Sequence, residues 1–389
     1  MIDLLDYTPP VMLITLDELK TQLKDKLGKI VLYGYGTSSF FDILESMHSC
    51  NIFPIAYSDT DKNKWNIIYK DKKVIAPNEI RSIYGDDVLI ITCFLLHLEE
   101  RMRDVNTLLN AYGIYDIRHV SYFMCCPELF KCLHGKRNHF DLFINMSDEQ
   151  KFGINQSYEL LADEESKRLY KEIIGFRSFP VLNKPLINGA VDYFSFNYFL
   201  QYENEIFVDC GAYNGDTLKD FLNHYKEKFE QYIAFEPDPL NFNQLQEYVK
   251  NISYKDKIKL YQAAASDKND LLRLESNNYT SSSITSTGTE VIKAVTIDEV
   301  LSDIHVTFIK LDVEGFEKNI LLGAKNVISN YRPVLAVSAY HMLDDIWQLP
   351  ILINKLCNNY KIFFEAMNSF VDYILIAVPI ERLKIDIRN

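Results

Sequence analysis

The stretch Glu205 to Leu218, EIFVDCGAYNGDTL, puts an acid and two glycines where an apolar run gives way to a helical pattern. Ile206, Phe207 and Val208 suit a buried parallel strand. Asp209, Gly211, Asn214 and Gly215 are turn formers, and Thr217, Leu218, Phe221 and Leu222 open a helix. Strand, glycine loop and helix in that order make a ligand cradle, because backbone N–H groups at the helix start point outward. The glycines are spaced Gly-x-x-x-Gly rather than as a dinucleotide fingerprint, and Asp209 stands two residues before the first. A carboxylate there repels a phosphate and suits a cation such as an amino group. Downstream, Tyr232 to Asp238 reads YIAFEPD, a second apolar strand ending in Glu236. An acid in that place accepts hydrogen bonds from both hydroxyls of a ribose. A ligand with a ribose, a cationic amino-acid part and no phosphate is S-adenosylmethionine. The alternative is a structural strand–turn–helix in some other α/β protein.

Methyl transfer from a sulfonium needs alignment of donor and acceptor, and a base when the acceptor is a hydroxyl. Two strand ends offer one. Lys310-Leu311-Asp312-Val313-Glu314-Gly315 follows an apolar run, and Asp312 and Glu314 point the same way if the strand continues. The pair suits a base or part of a Mg²⁺ site. No third ligand is identifiable, so no metal is expected; the structural alternative for Asp312 is a helix cap near Phe316. The second place is Ser338-Ala339-Tyr340-His341, where a histidine with a pKa near the unperturbed ~6.5 serves as general base. Asp344 and Asp345 follow and are candidates to orient it.

Around these residues the expected strands are 205–209, 231–235, 258–263, 306–311, 333–338, 361–366 and 372–378. The last two are too close for a helical crossover, so they pair as an antiparallel hairpin. Between strands 258–263 and 306–311, the Ser/Thr-rich stretch Tyr279 to Gly288 reads as a polar loop. Residues 25–135 alternate in the same way: strands at 30–33, 52–57, 88–93 and 117–120, with helices after the first and third. Its loop Gly34-Tyr35-Gly36 with Asp59 imitates a dinucleotide site, but Ser39 stands where a third glycine belongs. A module without bound nucleotide is the favoured reading. Between the two units, Tyr158, Leu161, Leu169, Ile173 and Ile174 suit one amphipathic helix whose charged face, Asp163 to Lys171, is solvated. The aromatic run Asp192 to Leu200 reads as packing, with Tyr193 the ligand-contact candidate. The expected division is 1–135, a Rossmann-like α/β domain; 136–204, a helical connector; and 205–389, the ligand-binding α/β domain.

A net charge of −13 without a long basic run argues against a nucleic-acid surface and against docking on anionic lipid. Seven scattered cysteines without Cys-x-x-Cys read as reduced thiols, not as a disulfide frame or a zinc site. Asp3 and Asp6 do not fit a secretory signal, and the longest apolar run, Val88 to Leu96, is too short to span a bilayer. The expectation is a soluble cytoplasmic protein with a small-molecule or glycan acceptor; self-association is allowed.

The runs VDCGAYNGDT, AFEPDP, AAASD (Ala263 to Asp267) and FIKLDVEGFE (Phe308 to Glu317) occur in that order. Together, over roughly residues 190 to 378, they resemble the FkbM family of S-adenosylmethionine-dependent methyltransferases. The resemblance implies a class I methyltransferase fold, a mostly parallel sheet with one antiparallel strand. It also implies donor contacts from Asp209, Gly211, Ala212, Tyr213, Gly215, Asp216, Thr217, Glu236, Pro237, Ala265, Ser266, Asp312 and Tyr193, and catalysis by His341 and Asp312. The amino-terminal unit resembles Rossmann-like modules that accompany this methyltransferase type in sugar-related proteins. One departure is that related sequences often carry Arg-His where this chain has Glu365-Ala366, which puts an inherited acceptor in doubt. Three readings compete: O-methylation of a sugar hydroxyl in a surface polysaccharide or glycan precursor; methylation of a lipid, polyketide or amine; and a non-catalytic binder on a methyltransferase scaffold.

Overall fold

A computed structural model describes residues 14–93, 98–119, 126–130, 146–178, 193–276, 282–284, 288–366 and 373–384. Residues 1–13, Phe94 to Leu96, Val120, 136–145, Asp192 and Asp372 lie outside them.

The amino-terminal unit is a sheet of β1 (Ile30–Tyr33), β2 (Ala56–Ser58), β3 (Ile68–Tyr69), β4 (Lys72–Ile75), β5 (Leu89–Thr92) and β6 (Ile117–His119). The order is β3-β4-β2-β1-β5-β6, parallel except for the β3–β4 pair. Strand β1 is buried on both faces: Ile30 and Leu32 join one core, Val31 and Tyr33 the other. Helix Ser38–Ser49 returns from β1, capped by the Thr37 hydroxyl, which accepts from the Phe40 N–H at 3.2 Å. The β3–β4 hairpin was not expected. Lys70 and Asp71 connect it with φ of 45° and 61°, the pair of left-handed residues that a two-residue hairpin turn needs. Neither is the glycine or asparagine that would have signalled it.

The carboxyl-terminal unit carries β7 (Ile206–Cys210), β8 (Gln231–Phe235), β9 (Ile258–Tyr261), β10 (Ala264–Ala265), β11 (Asp270–Ser276), β12 (Ser282–Ile284), β13 (Glu290–Val295), β14 (Phe308–Leu311), β15 (Val334–Ser338), β16 (Tyr360–Ala366) and β17 (Tyr373–Pro379). The main sheet runs β16-β17-β15-β14-β7-β8-β9, and β17 is antiparallel to both its neighbours, as the short β16–β17 gap requires. Side chains alternate between two cores: Phe207, Tyr232 and Phe308 on one face, Val208, Ile233 and Ile309 on the other. Strand order reverses between β7 and β14, so a crevice opens at their carboxyl ends.

Strands β10 to β13 form a separate sheet, β10-β13-β11-β12. The Ser/Thr-rich stretch expected as a loop therefore contributes a strand: Ser282–Ile284 pairs antiparallel with β11, and Ile284 packs against its small core. Residues 277–281 and 285–287 lie outside the description.

The single amphipathic helix is two, Asp148–Leu160 and Glu164–Ser178. Asp163, expected on a solvated face, is buried and accepts from the Ser166 N–H at 2.8 Å, starting the second helix. Leu161 bridges to Ile362, and the Ala162 N–H donates to the Ile362 carbonyl at 2.8 Å. Ile154, Tyr170, Ile173 and Ile174 share one core with the main sheet. These two helices, expected as part of a connector, pack there as a layer of the carboxyl-terminal unit. No described helix is long and apolar enough to cross a membrane.

Candidate active site

Four loops at the carboxyl ends of β7, β8, β14 and β15 build the site. After β7 the chain turns sharply: Gly211, Tyr213 and Gly215 have φ of 84°, 46° and 94°. A Cβ on Gly211 would lie 2.0 Å from the Asp312 carbonyl, so only glycine lets these two loops touch. The Gly211 and Ala212 N–H groups donate to the Phe235 carbonyl, and the Gly215 N–H to the Ala212 carbonyl. Gly215 starts helix Asp216–Tyr225. Asp216 is exposed and accepts from the Thr217 N–H at 2.7 Å, while Thr217 itself is buried.

Asp209 does not present its carboxylate to a ligand's ammonium. It is fully buried, with Lys310 Nζ 3.0 Å from Oδ1 and the Tyr232 hydroxyl donating to Oδ2. Burial pushes the Asp209 carboxyl up and Lys310 pulls it back. Burial alone would lower the Lys310 pKa, but Asp209 and then Asp312 raise it. Lys310 also donates to the Gly211 carbonyl at 2.8 Å, tying β14 to the loop. Lys310 went unnoticed in the sequence, though a lysine inside an apolar strand demands a buried partner.

Glu236 is 5% exposed, and its two oxygens accept from the Tyr213 and Asp238 N–H groups at 2.8 Å each. Burial pushes its carboxyl up to about 7, against those two hydrogen bonds. Pro237 beside it is half-buried. Ala265 and Ser266 are buried: the Ser266 N–H donates to the Val295 carbonyl, and a Cβ on Gly323 would lie 1.9 Å from the Ser266 carbonyl. They pack between layers.

Asp312 is the hub of the third and fourth loops. Its Oδ1 accepts from the Ser338 hydroxyl at 2.9 Å and the Tyr340 hydroxyl at 3.4 Å; its Oδ2 accepts from the Tyr193 hydroxyl at 3.4 Å. Tyr193 thus reaches the site, while Phe194, Phe196, Tyr198 and Phe199 are buried as packing. The Asp312 side chain is 32% exposed. Burial would raise its carboxyl, but Lys310, then His341, Ser338 and Tyr340, hold it below the usual range.

His341 is 5% exposed; Nδ1 lies 2.7 Å from Glu317 Oε1, and Nε2 lies 3.6 Å from Asp312 Oδ1 and 3.8 Å from Glu314 Oε2. Burial would lower its pKa, but Glu317, followed by Asp312 and Glu314, raises it to about 10. The titration expected near ~6.5, moved by its neighbours, is moved upward by these acids. Glu317, not Asp344 or Asp345, orients the ring; the Asp345 carboxylate accepts from the Met342 N–H at 2.7 Å instead. Asp312 caps no helix, since the following one starts at Phe316 without a side-chain cap. The strand does not continue to Glu314 either. Glu314 and Gly315 have φ of 54° and 95°, and it is this turn that swings Glu314 toward the imidazole.

A separate cleft of about 540 Å³, lined by Tyr202, Gln231, Lys259 and His305, lies at the amino-terminal ends of the strands, away from these residues.

Residues 209–375 match the family model for the methyltransferase FkbM domain. This part of the chain is an FkbM methyltransferase domain. The fold as a whole is similar to the crystal structure of Methyltransferase FkbM from Methylobacillus flagellatus KT, with a TM-score of 0.70 at 20% identity over 97% of this chain and 95% of that one. Weaker likenesses cover the methyltransferase half. Precorrin-6y C5,15-methyltransferase from Geobacter metallireducens GS-15 has a TM-score of 0.31 at 12% identity, over 46% of this chain and 82% of that one. TrmK of M. capricolum in complex with S-adenosyl-homocysteine has 0.30 at 12%, over 49% and 68%. No curated protein sequence matches the chain significantly. The methyltransferase domain starts at the acid of the first loop and ends in β17, so it contains all four loops of the site.

Proposed function

We propose that the chain is an S-adenosylmethionine-dependent O-methyltransferase acting on a sugar hydroxyl of a glycan precursor. The observation that carries this is Asp312: one carboxylate, a third exposed, ringed by the hydroxyls of Tyr193, Ser338 and Tyr340 beside the glycine loop. A carboxylate already accepting from hydroxyls accepts one more, and a lining of hydroxyls, carboxylates and an imidazole suits a polyol better than a lipid tail.

The donor fits the residues present. The close approach at Gly211 leaves the loop's backbone at the crevice, and Glu236 holds a buried carboxylate at the end of the second strand. Gly211, Ala212, Tyr213 and Gly215 would hold the amino-acid part, with Asp209 and Lys310 ordering the loop beneath. Glu236 would hold the ribose. When bound, the donor supplies a methyl group already activated by its sulfonium. The protein's residues supply position: Asp312 accepts from the acceptor's hydroxyl and His341 aligns Asp312.

His341→Asn and Asp312→Asn, assayed on a panel of sugar acceptors, test the reading. The expected loss of turnover is about 10²–10⁴-fold. Near-normal turnover in both would remove them from catalysis. A rise in acceptor KM with kcat kept would make His341 a positioning residue only. Mass spectrometry of surface glycans, with and without the protein, identifies the methylated sugar.

A further inference from the structure

Glu317 is fully buried, and its Oε2 has no hydrogen-bond partner among the described residues. An unpaired buried carboxylate oxygen is costly, more so than an unpaired neutral group. Its surroundings add to the cost. The carboxylates of Asp312 and Glu314 lie 3.6 and 3.8 Å from the His341 ring, and Asp345, buried at the start of the helix after β15, is near enough to feel the Glu317 charge. Facing these four acids, His341 brings at most one positive charge, and the Lys310 ammonium is engaged by Asp209 at 3.0 Å.

Glu317 opens the helix after β14, Asp312 follows β14 and His341 follows β15, so three segments bring one ligand atom each to the same place. Those atoms all lie within 4.8 Å of one another. We propose that Asp312, Glu317 and His341 bind a divalent cation, with Glu314 at the rim. An imidazole nitrogen with two carboxylate oxygens suits a first-row cation such as Mn²⁺ better than Ca²⁺, which takes oxygen ligands alone. Only the neutral ring ligates, so the cation competes with a proton for the imidazole nitrogen. Asp312 stays partly exposed, so the coordination sphere keeps an open side toward the crevice.

The role of the cation rests on the acceptor reading above; its binding does not. On an open coordination site, an acceptor hydroxyl oxygen becomes a ligand and its pKa falls, so that its proton leaves to water before the oxygen attacks.

The test titrates Mn²⁺ into the whole, chelator-treated protein and follows free Mn²⁺ by electron paramagnetic resonance, without any methyl transfer. The account expects one Mn²⁺ per chain, with binding weakened about 10- to 100-fold or more in Glu317→Gln and in Asp312→Asn. S-adenosylhomocysteine affinity should stay unchanged in Glu317→Gln, which shows that this variant is folded. A wild-type chain that leaves all Mn²⁺ free overturns the proposal, as does Mn²⁺ binding that both variants retain. The result for the cation is separate from the result for the acceptor panel.

Discussion

In the amino-terminal sheet, Gly34 and Gly36 follow the first strand and Asp59 follows the second. In the carboxyl-terminal sheet, Gly211 follows β7 and Glu236 follows β8. In both, the first strand pairs parallel with the second, and the side chains differ. Lys64 reaches into the first loop, with Nζ 3.0 Å from Asp59 and 2.8 Å from the Tyr35 carbonyl, and its Cε lies 3.7 Å from where a Cβ on Gly36 would stand. The first cradle is closed by the protein's own cation. In the second, the lysine lies beneath the loop, on Asp209, and Glu236 is held by backbone N–H groups alone. A glycine loop followed by an acid marks a site only when no side chain of the protein already fills it.

The comparison breaks most sharply at its glycines. Gly211→Ala drives a Cβ to 2.0 Å from the Asp312 carbonyl, whereas a Cβ on Gly34 meets nothing nearer than 3.9 Å. Gly211→Ala should abolish S-adenosylhomocysteine binding and lower the Tm strongly. Gly34→Ala should cost only its left-handed backbone, about 1–2 kcal/mol by denaturant unfolding. Equal effects would mean that the two loops are equally constrained.

Next come the lysines. Lys310→Ala leaves Asp209 buried without its cation and should destabilise by about 3–5 kcal/mol. The Lys64 side chain is 32% exposed, so Lys64→Ala should cost no more than about 1 kcal/mol. Urea titrations of the two variants check this ordering.

A smaller effect is the pH dependence of donor affinity. Glu236 is pushed up to about 7, and only its ionised form accepts from both ribose hydroxyls. Below pH 7 the protonated carboxyl weakens binding; above it the carboxylate is present. Affinity should rise by about tenfold from pH 6 to pH 8. A flat profile in calorimetry would remove Glu236 from the ribose.

How far the fold was legible follows from the chemistry of each segment. The main-sheet strands were readable because strands buried on both faces are continuous apolar runs, and β17 because the β16–β17 gap is too short for a crossover. Strand β12 was hidden by its polar composition, and the Lys70-Asp71 turn by residues that rarely take positive φ. At the site, Asp312 and His341 were legible as acids or bases at strand ends. What they do was not, because it depends on Glu317 and Lys310, whose proximity arises only when β7, β14 and β15 pair. Asp209 was misread for the same reason: its partner stands on another strand.

The central claim is that the second cradle binds the methyl donor and the first does not. Calorimetric titration of S-adenosylhomocysteine into the wild type, Glu236→Ala and Asp59→Ala tests it directly. Losing hydrogen bonds to a charged group is worth about 1.5–3 kcal/mol, so Glu236→Ala should bind about 10- to 100-fold more weakly, while Asp59→Ala binds like the wild type. Unchanged affinity in Glu236→Ala, or a loss confined to Asp59→Ala, would contradict it.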